Sequence, residues 1–204
     1  MGGAGRVDSG DVQVVPATPD RWPDVQLLLG GDGERGCWCQ YWRQSASAYR
    51  ALGPGGGRRA LRRQIGGEPA PGVIAYLGDE PVGWCGFGPR SEMERLVRSR
   101  TIPAVDDMPV WSIVCFNVRV GYRRRGVARA LLDGAVAYAR EQGAPAVEAY
   151  PIDPGGRRAD TTFGYVGFLG MFEAAGFRPV VETAARSDRL PRILVRRDLR
   201  ANRR

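Results

Sequence analysis

The residues best suited to chemistry sit in a short arginine-rich turn. Arg123-Arg124-Arg125-Gly126-Val127-Ala128 follows a long apolar run and opens an amphipathic segment. A turn entering a helix points unpaired N–H groups outward, and the helix dipole adds partial positive charge. Gly126 and Ala128 carry no bulky side chain, so a pyrophosphate can approach the backbone there. Arginines add charge-assisted hydrogen bonds to such an anion. The pattern R-x-x-G-x-A is weak by itself in an arginine-rich chain and gains meaning from the elements around it.

A second cluster is Cys37-Trp38-Cys39-Gln40-Tyr41-Trp42-Arg43. The chain contains no histidine and no second close cysteine pair, so a structural metal site lacks its four ligands. A redox pair, an acyl-accepting nucleophile and simple packing stay open for Cys37 and Cys39. Cys85 and Cys115 fall in apolar runs and read as small buried hydrophobes. Asp107 is a candidate base because Asp106-Asp107 directly precedes the longest apolar run.

The chain has 204 residues, a net charge of +8 and 30 basic side chains, all of them arginine. That length can bury a sizeable core. No apolar stretch approaches the roughly 18 residues of a membrane helix. Met1 to Arg6 shows neither a signal-peptide core nor a myristoylation signal, which predicts a soluble, cytoplasmic protein with free thiols. Positive charge favours anionic partners such as CoA, nucleotides or RNA. The arginines are dispersed, however, and none of the helix-turn-helix, zinc-finger or RNP signatures of a nucleic-acid-binding module is present.

These residues must be positioned by alternating strands and helices. Residues 1–10 read as a disordered tail, 11–198 as one domain and 199–204 as a basic tail. Asp11 to Val15 reads as a first strand. Thr18-Pro19-Asp20 reads as an N-cap with proline at the first helical position, starting a helix that stops at Gly30-Gly31. Arg58 to Ile65 reads as a short basic helix between Gly- and Pro-rich loops. Val73–Leu77 and Val82–Phe87 flank Gly78-Asp79-Glu80-Pro81, which predicts an antiparallel hairpin. Ser91 to Arg98 looks helical, and Val110 to Val118 reads as a buried central strand. Val127, Leu131, Ala135 and Ala139 recur at four-residue spacing and predict a helix to about Gln142, closed by Gly143. Ala146 to Tyr150 is a further strand. A Gly- and Arg-rich loop spans roughly 153–162, and Phe168 to Ala175 is a helix. Arg178–Glu182 and Ile193–Arg197 are the last strands.

In this setting the sequence resembles the GNAT N-acetyltransferase family. Val118-Arg119-Val120-Gly121-Tyr122-Arg123-Arg124-Arg125-Gly126-Val127-Ala128 matches its V-x-x-x-[YF]-[RQ]-x-x-G-x-[GA] acyl-CoA segment. Phe172-Glu173-Ala174-Ala175-Gly176-Phe177 looks like its closing Y-x-x-x-G-F helix. The cysteine–tryptophan cluster, with Pro81-Val82-Gly83-Trp84-Cys85, Pro109-Val110-Trp111-Ser112 and Ala149-Tyr150-Pro151-Ile152-Asp153, is similar to a bacterial subfamily of mostly unassigned substrate. The resemblance spans about residues 11–197 and is tightest over 110–180.

The resemblance implies an α/β fold with a mixed, mostly antiparallel central sheet, a splay between the fourth and fifth strands, and helices on both faces. Acetyl-CoA would lie in the splay. The backbone of Phe116, Asn117 and Val118 would hold pantetheine and the acetyl carbonyl, and Arg123 to Ala128 the pyrophosphate, with Phe172 close by. The acceptor, a small-molecule or peptide amine, would attack the thioester directly. One family base position falls on Ser112, a poor base. Another, known from ribosomal-protein N-terminal acetyltransferases, falls on Glu148, the first candidate. The usual acid tyrosine is Phe172 here, so Tyr150, Tyr165, Tyr41, a cysteine or solvent must supply that proton. Cys37, Trp38, Tyr41, Trp42, Trp84, Asp107 and Ser112 would shape the acceptor side. No metal is implied, a homodimer is left open, and a non-catalytic acyl-CoA sensor is the alternative.

Overall fold

The computed structural model describes residues 12–155, 165–187 and 189–200. The expected tail at 1–10, most of the loop at 153–162 and the last four residues of the basic tail lie outside the described residues. In chain order the elements are β1 (Val12–Pro16), α1 (Trp22–Leu29), α2 (Ala46–Ala51), α3 (Gly56–Ile65), β2 (Gly72–Leu77), β3 (Glu80–Pro89), α4 (Glu94–Val97), β4 (Trp111–Val118), α5 (Val127–Glu141), β5 (Ala146–Ala149), α6 (Leu169–Ala174), β6 (Arg178–Ser187) and β7 (Leu190–Asp198).

The strands form a mixed sheet in the order β1-β2-β3-β4-β5-β7-β6. Every neighbouring pair is antiparallel except β4 and β5. Side chains alternate between faces because successive Cβ atoms point oppositely along a strand. Val73, Ala75, Val82 and Cys85 pack under Leu131, Leu132, Ala135 and Ala139 of α5. Ile74, Tyr76 and Trp84 pack on the opposite face with Val25 and Leu28 of α1 and Leu61 and Ile65 of α3. Helices therefore cover both faces. Leu131 and Leu132 are fully buried, and each contributes about 2 kcal/mol through transfer from water. Gly134 interrupts α5 where it crosses β1: a Cβ built there would sit 2.8 Å from Val14 Cβ. Its low helix propensity is the cost of that close approach.

The central feature is a splay. β4 and β5 pair only at Trp111–Val147, Ser112–Glu148 and Ile113–Ala149. Beyond Ala149 the chain stays with β7, where Ile193 N donates to Pro151 O at 3.0 Å and Asp153 N to Pro191 O at 3.2 Å. Pro151 has no N–H to give. β4 bends away at the same level through a bulge. Gly86 opposes Cys115 and Phe87 opposes Ile113, leaving Val114 as the extra residue. A bulge reverses the facing of the residues beyond it and sharpens the local twist. Val114 and Cys115 consequently share one face, while Ile113 and Phe116 belong to the core under α5.

Several local expectations are corrected. Thr18 makes no side-chain cap; Pro19–Arg21 is a 3₁₀ turn, and α1 starts at Trp22 with Pro23 in its first turn. α2 is absent from the expected elements; its signal is Ser45, whose hydroxyl accepts from Ala48 N at 3.1 Å. α3 begins two residues early, at Gly56. The predicted helix at 91–98 is a 3₁₀ turn at Arg90–Glu92 followed by the four-residue α4. β6 and β7 are longer than predicted. The outer face of β6 is largely exposed, so its sequence carries little apolar alternation.

Candidate active site

The splay opens a cleft of about 650 Å³. One wall is the end of β4, Cys115 to Val118, continued by Arg123 and Ala128. The other wall carries Gly167, Phe168 and Met171, and Cys37 to Cys39 close one end. On the side facing β5, the backbone of β4 from Val114 to Val118 has no strand partner among the described residues. An unpaired strand edge is a row of hydrogen-bonding groups seeking an extended, amide-bearing ligand. Val118 O accepts from Arg123 Nε at 3.2 Å. Asn117 Nδ2 donates to Leu28 O at 2.8 Å and ties this edge to the last turn of α1.

The arginine turn sits at the mouth of the cleft. Arg124 (φ 61°) and Gly126 (φ 79°) take the left-handed conformation, which turns the chain sharply into α5. No side chain caps that helix, so its first N–H groups remain available. Glu80 braces the turn by accepting from Tyr122 Oη at 2.5 Å and Arg119 Nη1 at 2.6 Å. These two hydrogen bonds, Tyr122 first, hold the Glu80 carboxyl below the usual carboxylate range. Arg125 lies over the Tyr122 ring, 5.4 Å from its centroid. Arg123 and Arg124 are exposed.

The Cys37–Arg43 segment is folded tightly against the sheet. Trp38 (φ 48°) and Cys39 (φ 55°) are both left-handed, a conformation that costs about 1 kcal/mol or more per non-glycine residue. Arg43 donates from Nη2 to Pro71 O at 2.8 Å and Phe87 O at 2.7 Å. Gln40 Nε2 donates to Trp38 O at 3.1 Å and Gln64 Oε1 at 2.8 Å. Trp84 is fully buried and donates its indole N–H to Cys39 Sγ at 3.0 Å. Tyr41 stacks edge-on against Trp42 and Tyr49.

Glu148 lies elsewhere. It is 1% exposed and borders a second cavity of about 470 Å³ with Asp106, Asp107, Trp111 and Arg196. Arg196 donates to Glu148 Oε1 from Nη2 at 2.6 Å and from Nε at 3.0 Å. The same guanidinium grips Asp106 Oδ1 at 3.0 Å and Oδ2 at 2.5 Å. That contact holds the Asp106 carboxyl below its ordinary range and raises Arg196 above its own. Tyr150 donates to Glu148 Oε2 at 3.3 Å and shares a hydrogen bond with Ser112 Oγ at 2.9 Å. Burial, then the Glu148 charge, pushes the Tyr150 phenol well up. The Ser112–Tyr150–Glu148 chain begins where β4 and β5 part and ends at the second cavity.

The predicted site residues thus fall into separate groups. Phe116, Asn117, Val118, Arg123, Ala128, Cys37 and Trp38 meet in the cleft. Arg124, Arg125, Gly126 and Val127 adjoin it in the turn. Glu148 and Asp107 meet in the second cavity, four strand residues away from Phe116, or roughly 13 Å along β4. Trp84 is inside the core rather than on a pocket wall, because its ring fills the space over Gly72. Phe172 is fully buried, 6.1 Å from Phe116 and 5.2 Å from Phe177 between ring centroids. Its ring edge lies beneath Gly167, which itself faces the cleft. Tyr165 lines the cleft and accepts from Arg192 Nη2 at 3.2 Å. Cys115, expected as a buried hydrophobe, is half-exposed on the cleft wall because of the bulge. Arg196, and Arg90 with its Nε 4.0 Å from Glu148 Oε2, do not stand out in the sequence; in a chain with 30 arginines nothing local marks them. Among the described residues no group of three or more His, Cys, Asp or Glu is arranged to hold a metal, and no helix is long and apolar enough to cross a membrane.

Residues 38–168 match the family model described as the acetyltransferase (GNAT) family. No curated protein matches the sequence. Among solved structures, the chain is similar to a GCN5-related N-acetyltransferase from Kribbella flavida at 13% identity, covering 93% of this chain and 98% of that one, with a TM-score of 0.54. It is similar to the ribosomal-protein-S18-alanine N-acetyltransferase from Escherichia coli at 12% identity, covering 94% and 97%, with a TM-score of 0.53. A chain of the NatC complex bound to Gag peptide and CoA matches at 12% identity over 92% and 98%, with a TM-score of 0.51. At such identities the likeness is one of fold.

Proposed function

Because the chain belongs to the GNAT acetyltransferase family, we propose that it transfers an acetyl group from acetyl-CoA, bound in the splay, to a primary amine of a small molecule or peptide. The observation that carries this reading is the unpaired β4 edge ending at an uncapped helix. Pantetheine is an extended chain with two amides, and it complements an open strand edge as an added strand does. Phe116, Asn117 and Val118 then bond pantetheine and the acetyl carbonyl. The pyrophosphate lies on the N–H groups from Gly126 to Ala128, where Arg123, Arg124 and Arg125 add charge. The structure of NatC with CoA and peptide supports both ligand classes in this fold.

The acceptor enters from the second cavity. Glu148, Asp106 and Asp107 favour a cation there, and exposed loop residues shape its opening. Glu148 takes the amine proton, and Tyr150, protonated at neutral pH, relays protons between Glu148 and Ser112 at the apex of the splay. Phe172 cannot donate a proton. It supports the cleft floor through Gly167 instead. Of the aromatics expected on the acceptor side, Trp38 lines the cleft, while Tyr41 and Trp42 stack on each other outside the lining of either cavity.

Calorimetry with acetyl-CoA tests the cofactor assignment. The wild-type protein should bind, and Gly126→Trp should lose affinity, since the new side chain fills the phosphate approach and strains a left-handed position. Unchanged affinity in that variant sinks the assignment.

A further inference from the structure

We propose that the cavity between α1 and α3 is a second anion site, built for a small molecule that carries a multiply charged oxyanion, a phosphate ester or a polycarboxylate. It is separate from the cleft in the splay, and it stands whether or not acetyl-CoA occupies that cleft.

α3 carries its charge in an unfavourable place. Arg58, Arg59, Arg62 and Arg63 follow one another on its exposed face, while Ala60, Leu61 and Ile65 are buried. Arg58 with Arg62, and Arg59 with Arg63, are four residues apart, the spacing at which like charges repel across one helical turn. The helix contains no acidic residue to offset them. Among the described residues, none of the four pairs with a carboxylate of another element. Other exposed arginines of the chain are compensated: Arg98 by Glu94 at 2.9 Å, Arg129 by Asp133 at 2.7 Å and Arg186 by Glu182 at 2.9 Å. The cluster on α3 is therefore more than the arginine-rich composition alone. It repeats the pattern of Arg123 to Arg125, the turn assigned above to the pyrophosphate.

The charge is also concave. Arg58, Arg59 and Arg62 line a cavity of about 400 Å³ together with Gln26 of α1, Gly33 and Trp38, and no acidic side chain belongs to that lining. Guanidinium groups on a convex surface face water separately, whereas groups around a cavity converge on one ligand. Each presents a planar fork that matches phosphate or carboxylate oxygens in pairs. Arg62 is held at the rim over the Trp22 ring, 5.8 Å from its centroid. Arg59 Nη2 donates to Pro54 O at 3.3 Å. A guanidinium has five N–H donors, so these contacts leave most of them for a ligand.

The walls are fixed by packing. Trp38 is 4% exposed, lies 6.0 Å from Trp22 between ring centroids, and donates its indole N–H to Gly33 O at 3.3 Å. α3 rests directly on the chain beside it: a Cβ on Gly57 would sit 3.3 Å from Cys37 O and 3.4 Å from Trp38 Cβ. The cavity is thus preformed, and its size suits a small molecule. Trp38 also lines the cleft in the splay. Leu29 and Asp32 face that cleft, and Gly30 and Gly33 face the arginines. The ligand therefore lies one turn of chain from the cofactor cleft without entering it.

The test titrates inorganic pyrophosphate into the full chain by calorimetry at low salt, with acetyl-CoA at saturation so that the arginine turn at Arg123 to Arg125 is occupied. One pyrophosphate should bind. Arg58→Gln with Arg62→Gln should weaken it by about 10-fold or more, the scale of lost charge-assisted hydrogen bonds. Arg124→Gln with Arg125→Gln should leave it nearly unchanged. Arg58→Lys with Arg62→Lys keeps the charge but removes the forks, and should weaken it as well. Citrate, titrated in the same way, names the source of the anion: tighter pyrophosphate assigns a phosphate ester, tighter citrate a polycarboxylate. The proposal is overturned if neither anion binds, if the Arg58 and Arg62 glutamine pair binds as wild type, or if both glutamine pairs lose affinity equally. Wild-type affinity in the lysine pair overturns it too, since that result describes a diffuse basic surface. Failure of acetyl-CoA to bind is a different result that concerns the cleft alone; the Arg124→Gln, Arg125→Gln protein then gives the pyrophosphate reading without it.

Discussion

The two ends of β4 are built on opposite principles. At its C-terminal end the cleft is made mostly of main chain: an unpaired edge from Val114 to Val118, the left-handed Gly126, and the uncapped start of α5. At its N-terminal end the second cavity is made of side chains: Glu148 held by Arg196, which also holds Asp106. A main-chain site offers the same groups whatever the side chains are. It suits a ligand that does not vary. A side-chain site changes with every substitution, and suits the half of a reaction in which selectivity lies. Between them runs the Ser112–Tyr150–Glu148 chain.

If the ends are independent, each can be broken without disturbing the other. The largest effect is expected at the side-chain end. Glu148→Gln should lower turnover by roughly 100-fold or more, the scale of lost general-base catalysis. Acetyl-CoA affinity should stay as in wild type, measured by calorimetry. The same variant leaves Arg196 partly unpaired, so its melting temperature should fall too. A matched loss of acetyl-CoA affinity would mean the ends are coupled.

At the main-chain end, Gly126→Trp should weaken acetyl-CoA by on the order of 100-fold, about 2.7 kcal/mol. The Arg196–Asp106 contact should be untouched, which an unchanged acid unfolding profile would show. A smaller effect is expected from Trp84→Phe, which deletes the indole N–H donated to Cys39. The pH midpoint for alkylation of Cys39 by iodoacetamide should rise by about one unit, the scale of one hydrogen bond to a charged group. Wild-type reactivity should already be present below the usual thiol range, because the thiolate is the reactive form and the neighbouring Cys115 and Trp84 favour the anion. An unmoved midpoint would deny Trp84 that role.

The smallest effect belongs to Asp106→Asn. Asp106 is exposed, and Arg196 holds its carboxyl below the ordinary range. A depressed carboxyl contributes stability above its unfolded value, near pH 4, and loses it as the pH falls through the folded value. Wild type and variant should therefore differ slightly in urea midpoint at pH 7 and converge in acid. A gap that widens in acid would reverse the assignment.

The same contrast explains what is legible in the sequence. Gly126 can be singled out because only small residues let an anion near the backbone, and α5 because Val127, Leu131, Ala135 and Ala139 repeat on one face. The splay is expected through the family resemblance, and Pro151 marks its local cause. Glu148 falls on β5 as expected, but its partner Arg196 lies 48 residues away and looks like every other arginine. The bulge at Val114 is a register shift with no composition of its own, so Cys115 reads as core when it faces the cleft. α2 rests on Ser45 alone and contributes no buried residue, so no apolar period announces it.

The open β4 edge has a further consequence for how the protein behaves without its ligand. A sheet that lacks hydrogen-bond partners along one side of five residues in its centre is an unfinished sheet, and the proposed pantetheine would complete it. Acetyl-CoA would then be a structural member as well as a reagent. In free protein the amides between Val114 and Val118 that face the splay should exchange with deuterated solvent faster than those facing β3, and ligand should silence them. Resistance to heat should climb with acetyl-CoA concentration, by about 2.7 kcal/mol at one hundred times the dissociation constant. In a cell, then, the supply of acetyl-CoA would set the lifetime of the enzyme along with its rate.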